Sequence, residues 1–249
     1  MKLLKYFALV IILFSFGCEP CEELTLEVCG GNEGATSVDL IILIDQSGSL
    51  DDAASAISMA AEQALDSAQA LCPTDLVVHF LGVDGTQPGT RFNENHKQFI
   101  YNANGGTIAL ASDNSTGDSK ELGANAIEDL SNLAPWRTGA CRAIFYISDE
   151  ELDSDFPTGD FANETAKTQA AIDAAKANGV TVFTNYILAL NRGPNILQNY
   201  DDLTGETGGF NLTTPTYSDV NEDLYIELMP NIVCNSCNSC VLNQFVRSN

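Results

Sequence analysis

The amino-acid sequence predicts a doubly wound α/β domain, a mostly parallel sheet with helices on both faces. Three observations carry this. Apolar runs such as Val38 to Ile44, interrupted only by Asp39, show no polar alternation, as strands buried on both faces require. Stretches with apolar residues at helical spacing lie between those runs, so strand and helix patterns alternate along the chain. Helix-ending residues, Pro73 and Gly179, fall where a helical stretch gives way to the next apolar run.

Each element follows from its residues. Val38 to Ile44 is the first strand. Asp51 to Leu71 is Ala-rich, with Ile57, Ala61, Leu65 and Ala68 at helical spacing, and predicts a helix closed by Pro73. Leu76 to Val83 reads as a second strand ended by Asp84-Gly85. From Thr86 to Ser115 the chain is rich in Gly, Asn and Thr. Its short apolar pieces, Gln98–Tyr101 and Thr107–Leu110, predict an antiparallel edge strand with loops. Lys120 to Leu133 predicts a helix, Arg142 to Ser148 a strand, and Glu164 to Asn178 a helix with Gly179 as its C-cap. Val180 to Leu188 is the next strand. A short helix near Ile196–Leu203, a strand around Gly208–Leu212 and a helix from Asp219 to Ile232 complete the alternation.

With 249 residues, 45% of them hydrophobic, the chain can bury one good core, and residues 37–233 read as one domain. The formal net charge of −23 comes from 34 acidic against 11 basic residues. Such a surface repels phosphate backbones and anionic head groups, which argues against nucleic-acid and polybasic membrane contacts. Cations are its natural small partners.

The two ends point to export. Lys2 and Lys5 precede the apolar stretch Tyr6 to Phe16, which is too short to span roughly 30 Å of hydrocarbon. Residues 1–17 therefore read as a signal peptide. Ser15-Phe16-Gly17 suits cleavage before Cys18, and the site resembles a bacterial lipobox, which implies a lipid on Cys18. Residues 18–36 form an acidic, Cys-containing tether, and residues 234–249 a Cys-rich tail. The expected location is the cell envelope or surface, with the membrane touched only through Cys18, or secretion if Cys18 is not lipidated. The eight cysteines fit an oxidising compartment. The tail CNSCNSC has no nearby histidine and no second CxxC at zinc-finger spacing, so disulfides are favoured over zinc.

Chemistry concentrates at two strand exits. Ligands of doubly wound sheets bind at the C-terminal ends of the strands. Asp45 closes the first strand and Asp149 closes AIFYIS. After Asp45, Ser47 and Ser49 recur at alternate positions, Gly48 permits a bend, and Asp51 and Asp52 suit the first turn of the next helix. Carboxylates and hydroxyls together make an oxygen site for a hard cation, Mg²⁺, Ca²⁺ or Mn²⁺.

These residues resemble a known family. DQSGS, between a buried strand and a helix, matches the DxSxS signature of von Willebrand factor type A (integrin I-like) domains. YISDE (Tyr146–Glu150) and DLTGETGGF (Asp202–Phe210) resemble two later family segments, and the likeness covers Val38 to Ile232. The resemblance is to secreted or lipoprotein versions from bacteria. It implies a Rossmann-like fold with a metal-ion-dependent adhesion site formed by Asp45, Ser47, Ser49, Glu121 and Asp149. Glu121 stands in ELGANAI where the family usually has Thr, as in integrin β-subunit domains, with Thr116 and Ser119 as the alternatives. Asp52 and Asp118 are weaker candidates for a second cation. The acidic run Asp149–Asp155 lacks EF-hand order and reads as a solvated loop.

The implied function is a binding module, not an enzyme, whose divalent ion takes a carboxylate from a protein partner. The alternative is a metal-assisted hydrolase using the same ion. It lacks a recognisable base: His79 alternates within a strand, His96 lies in a polar loop, and there is no G-x-S-x-G elbow. Trp136 reads as a packing residue. In the family's fold the domain's two ends meet opposite the metal. This implies a bridge from Cys29 to Cys234, Cys237 or Cys240, a second bridge from Cys72 to Cys141, and a metal edge pointing away from Cys18.

Overall fold

The computed structural model describes residues 36–114, 122–152, 161–188 and 194–247. Six strands form one sheet in the order β3-β2-β1-β4-β5-β6, and every pairing is parallel. The strands are β1 (Thr36–Ile44), β2 (Thr74–Gly82), β3 (Glu94–Asn95), β4 (Cys141–Ser148), β5 (Val180–Ile187) and β6 (Asn211–Thr214). The helices are α1 (Asp51–Leu71), α2 (His96–Asn104), α3 (Gly123–Leu133), α4 (Phe161–Asn178), α5 (Pro194–Thr207) and α6 (Glu222–Arg247).

The alternation of β1 explains the layers. Val38, Leu40, Ile42 and Ile44 pack with α1 and α6 on one face. Ile41 and Leu43 pack with residues of α2 to α5 on the other. A strand covered on both faces has no place for a polar period, hence its apolar run from Val38 to Ile44, interrupted only by Asp39. The alanines of α1, including Ala53, Ala60, Ala64 and Ala68, are buried in the first cluster and let that helix lie close to its neighbours.

The N-terminal end of the sheet is tied by ionic bonds. Asp39, buried on β1, accepts from the Arg137 backbone N–H and from Arg137 Nε, each at 2.6 Å. The same guanidinium donates to Asp75 Oδ2 and to the carbonyls of Val38 and Asp75. Trp136 packs against the second cluster, and its indole N–H donates to the Leu130 carbonyl.

Three expectations are corrected. Among the described residues, the segment after β2 forms no antiparallel strand. Gln98–Tyr101 belongs to α2, whose first turn is capped by the Asn95 side chain accepting from the Gln98 N–H. His96 is the buried first residue of that helix. Its Nδ1 accepts from the Asp84 N–H and its Nε2 faces Ser112 Oγ, while burial lowers its pKa to about 4. Cys72 bonds to Cys234, not Cys141, which is a buried thiol within β4. The end of α1 lies against α6 in the same helical layer, while Cys141 sits one layer deeper, in the sheet. Cys234 is therefore also closed to Cys29. Cys18, Cys21 and Cys29 lie outside the described residues.

The Cys72–Cys234 bridge spans 162 positions of sequence. In the chain-entropy model, closing such a loop stabilises by about 5 kcal/mol. Urea denaturation of Cys234→Ser should therefore show a loss of up to that size. A midpoint equal to that of the unmodified chain would contradict the bridge.

Candidate functional site

The backbone places the site before any side chain does. β1 and β4 pair in register from Val38↔Cys141 to Ile44↔Ile147, so Asp45 and Asp149 leave adjacent strands at one end. The Asp45 N–H still donates to the Ile147 carbonyl, extending the ladder by one bond. After Asp45 the chain passes through Gln46 and Ser47 into a 3-10 turn, Gly48–Leu50, that runs directly into α1. Buried Leu50 pins this loop to the first core cluster.

Three of the expected residues touch one another and the fourth joins through their hydrogen bonds. Ser47 Oγ lies 2.7 Å from Ser49 Oγ and donates to Asp149 Oδ1 at 3.3 Å. Asp45 Oδ1 accepts from the Ser47 N–H at 2.8 Å, and its Oδ2 accepts from Ser148 Oγ at 2.9 Å. Asp45 is only 1% exposed, whereas Ser49 and Gly48 form an exposed rim. Glu121, with its alternatives Thr116 and Ser119, lies outside the described residues, as does Asp118. Asp52 is exposed on the first turn of α1.

Two residues of the site were missed. Ser148 donates to Asp45, accepts from the Glu150 N–H, and so locks the two strand exits together. Its place beside Asp149 was the available signal. Tyr217 donates its hydroxyl to Asp149 Oδ2 from the turn after β6. Nothing in the local sequence marks it, because it arrives from 68 positions away. Gly48, by contrast, needs no glycine conformation: its φ is not positive, and an added Cβ would meet nothing within 4 Å.

The acidic run after β4 is not a solvated loop where the structure describes it. Asp149, Glu150, Glu151 and Leu152 are all buried. The Glu150 carbonyl accepts from the Tyr200 hydroxyl, and the Leu152 carbonyl from the Ala124 N–H. Asp153 and Asp155 lie outside the described residues. Two glycines of the quoted motifs serve packing. A Cβ at Gly123 would stand 2.5 Å from the Tyr146 hydroxyl, and one at Gly209 would strike the Val182 carbonyl.

Electrostatics here favour a positive guest. Burial raises the Asp45 pKa to about 6, opposed by the bonds from Ser47 and Ser148 and reinforced by the Asp149 charge. Burial, and then donation to Asp149, push the Tyr217 hydroxyl up to about 12, so it stays a donor. The donors gathered here are hydroxyl and carboxylate oxygens, with no sulfur or imidazole, a set that fits a hard divalent cation. Among the described residues no group of three His, Cys, Asp or Glu is placed to hold a metal ion. Asp45 and Asp149 are two, and the serines complete what the described part offers.

No protein-family model and no curated relative matches the sequence. Solved structures do. The chain is similar to a point mutant of the PilB minor pilin from Streptococcus sanguinis, with a TM-score of 0.50 and 10% identity over 84% of this chain. It spans 64% of that pilin's length. Proximal thread matrix protein 1 of the mussel byssus follows with a TM-score of 0.44 and 12% identity, over 82% of this chain and 50% of that one. A conserved hypothetical protein, BatB, from Bacteroides thetaiotaomicron has a TM-score of 0.40 and 14% identity, over 78% and 100%. At such identities the likeness to the pilin is one of fold alone.

The buried carboxyl yields a signed prediction. A carboxyl whose folded pKa exceeds its unfolded value stabilises the fold only while protonated. For Asp45 that stabilisation is complete below about pH 3.8 and is lost as pH rises through about 6. At pH 7.5 in EDTA, Asp45→Asn should therefore be more stable than the unmodified chain, by on the order of 2–3 kcal/mol. The gain should fade towards pH 4. A variant that is less stable throughout would contradict the assignment of burial as the dominant cause.

Proposed function

We propose that this chain is an exported binding module of the von Willebrand factor type A kind, which engages an acidic group of a protein partner through a divalent cation. The observation that carries the proposal is the cluster of Ser47, Ser49 and Asp149 oxygens at adjacent strand exits, beside a buried Asp45. Asp45, Ser47, Ser49 and Asp149 would hold the ion, with Glu121 as the fifth ligand that the family resemblance implies. A bound divalent ion supplies a Lewis-acidic position to which a partner's carboxylate can bind.

The protein's own residues do the rest. Ser148 and the Ser47 N–H fix the Asp45 carboxylate in orientation, and Tyr217 fixes Asp149. The exposed rim at Gly48 and Ser49 leaves an approach for a large partner. Binding is favoured over hydrolysis because neither histidine is near. His96 is committed between Asp84 and Ser112, and His79, within β2, makes a tilted ring contact with Phe99 of α2. The signal peptide and Cys18 read from the sequence would deliver the module to the envelope or cell surface.

Calorimetry with Mg²⁺, Ca²⁺ and Mn²⁺ tests the site. One site in the micromolar-to-millimolar range is expected for an exposed hard-ion centre. Asp149→Ala and Glu121→Ala should each weaken it markedly, and Thr116→Ala should leave it unchanged. No heat with any of the three ions would overturn the proposal, and the reverse ranking would transfer the third-loop role to Thr116. Turnover of phosphate, ester or peptide substrates that needs the metal and Asp45 would replace binding with catalysis.

A further inference from the structure

The second strand of the sheet keeps an open edge. β2 pairs with β1 along its whole length, from Thr36↔Thr74 to Ile44↔Gly82. On its outer side β3 pairs only with Leu81 and Gly82. Thr74 to Phe80 thus have no strand beside them among the described residues. Leu76, Val77, Val78 and Phe80 are only half-buried, whereas their β1 neighbours, Val38 to Ile42, are buried. On the α1 side this edge opens into a groove of about 490 Å³, lined by Leu65, Leu76, Val78 and Phe80. An edge of this length, apolar on one face and free of proline and lysine, is one that proteins normally cover.

We propose that a second copy of this chain covers it, the two β2 strands pairing antiparallel about a two-fold axis at Val77. The strand is self-complementary about that residue. Directly opposed residues of an antiparallel pair share a face. Leu76 then meets Val78 of the other copy, and Thr74 meets Phe80, over the groove on the α1 side. Asp75 meets His79 on the opposite face, which carries Arg137. A slip of one residue would set the two faces against each other. A slip of two in either direction shortens the ladder, because Pro73 bounds the stretch at one end and β3 at the other. Only this register opposes all of Thr74 to Phe80.

Charge argues for a like copy. α1 runs back along the sheet from Asp51, near the Asp45 exit, to Leu71 just before β2, so it lies antiparallel to β2. Glu62 accordingly stands towards the Phe80 end, where Arg91 donates to it at 3.4 Å and covers the Phe80 ring. Asp66 and Gln69 lie further along α1, towards Thr74. Asp66 is exposed and has no ion pair among the described residues. The two-fold carries each Arg91, with its Phe80, to the Thr74 end of the other copy and so to Asp66. Both grooves gain a cation–anion contact in this way. The net charge of −23 on each copy opposes the approach. At about 0.15 M ionic strength, screening confines that repulsion to about 8 Å. The axis stands perpendicular to the joined sheets, so the Asp45 exits of the two copies point in opposite directions.

A short bis-maleimide on Val77→Cys tests the pairing, with the full-length chain in detergent and the linked peptides identified by mass spectrometry. On the axis this position faces itself, with Cβ atoms about 5 Å apart, so the peptide linked to its own copy should dominate. Thr74→Cys opposes Phe80, so its counterpart lies about 20 Å along the strand and the corresponding link should be absent. Adding Arg91→Glu to Val77→Cys sets two acids together and should lower the yield about tenfold. Adding Arg91→Lys should leave the yield unchanged. No link at Val77→Cys would overturn the proposal, the edge then being closed by something else. Equal yields from Val77→Cys and Thr74→Cys would also overturn it, because the copies would be colliding without register. A yield indifferent to Arg91→Glu would overturn it as well, since the contact of Arg91 with Asp66 is what selects a like copy.

Discussion

A carboxylate held at the exit of a fully buried strand is the constraint on which the rest of this structure turns. Asp45 is drawn out of water by β1, whose apolar run continues to the residue before it. A desolvated acid must find donors, and the donors it finds define the surroundings. The Ser47 N–H bends the chain back within two residues and aims α1 at the site. The Ser148 hydroxyl binds β1's exit to β4's, and through the Glu150 N–H it folds the acidic run inward. These bonds satisfy the hydrogen-bonding need of Asp45 without cancelling its charge. The neighbouring Asp149 charge raises its pKa further.

The opposite end of the sheet is built on the contrary logic. There Asp39 is also buried on β1, but a guanidinium and a backbone N–H meet both its oxygens at 2.6 Å. The Cys72–Cys234 bridge closes the helical layer. Asp39 is neutralised from within, whereas the bonds to Asp45 come from an uncharged N–H and an uncharged hydroxyl. The same strand, with nearly the same burial at the acid within it and the acid that follows it, thus separates a neutralised end from a charged one. The difference lies in which cations the chain itself supplies.

How far this was legible depended on whether a feature was local. β1 and α1 could be read almost to the residue, because the unbroken apolar run Leu40–Ile44 and an Ala-rich period are decided by burial alone. Asp45, Ser47, Ser49 and Asp149 could be placed together because the strand exits of a parallel sheet lie side by side. The segment after β2 could not be read, since β3 has two residues and α2 nine, and Asn95 serves both as strand and as cap. His96 looked like a loop residue because its partners, Asp84 and Ser112, lie 12 and 16 positions away. Tyr217 and the pairing of Cys72 depend on how distant elements pack, and no local spacing encodes that. Pro230 suggests a break, yet α6 continues through it to Arg247, so a reading that ended near Ile232 stopped short.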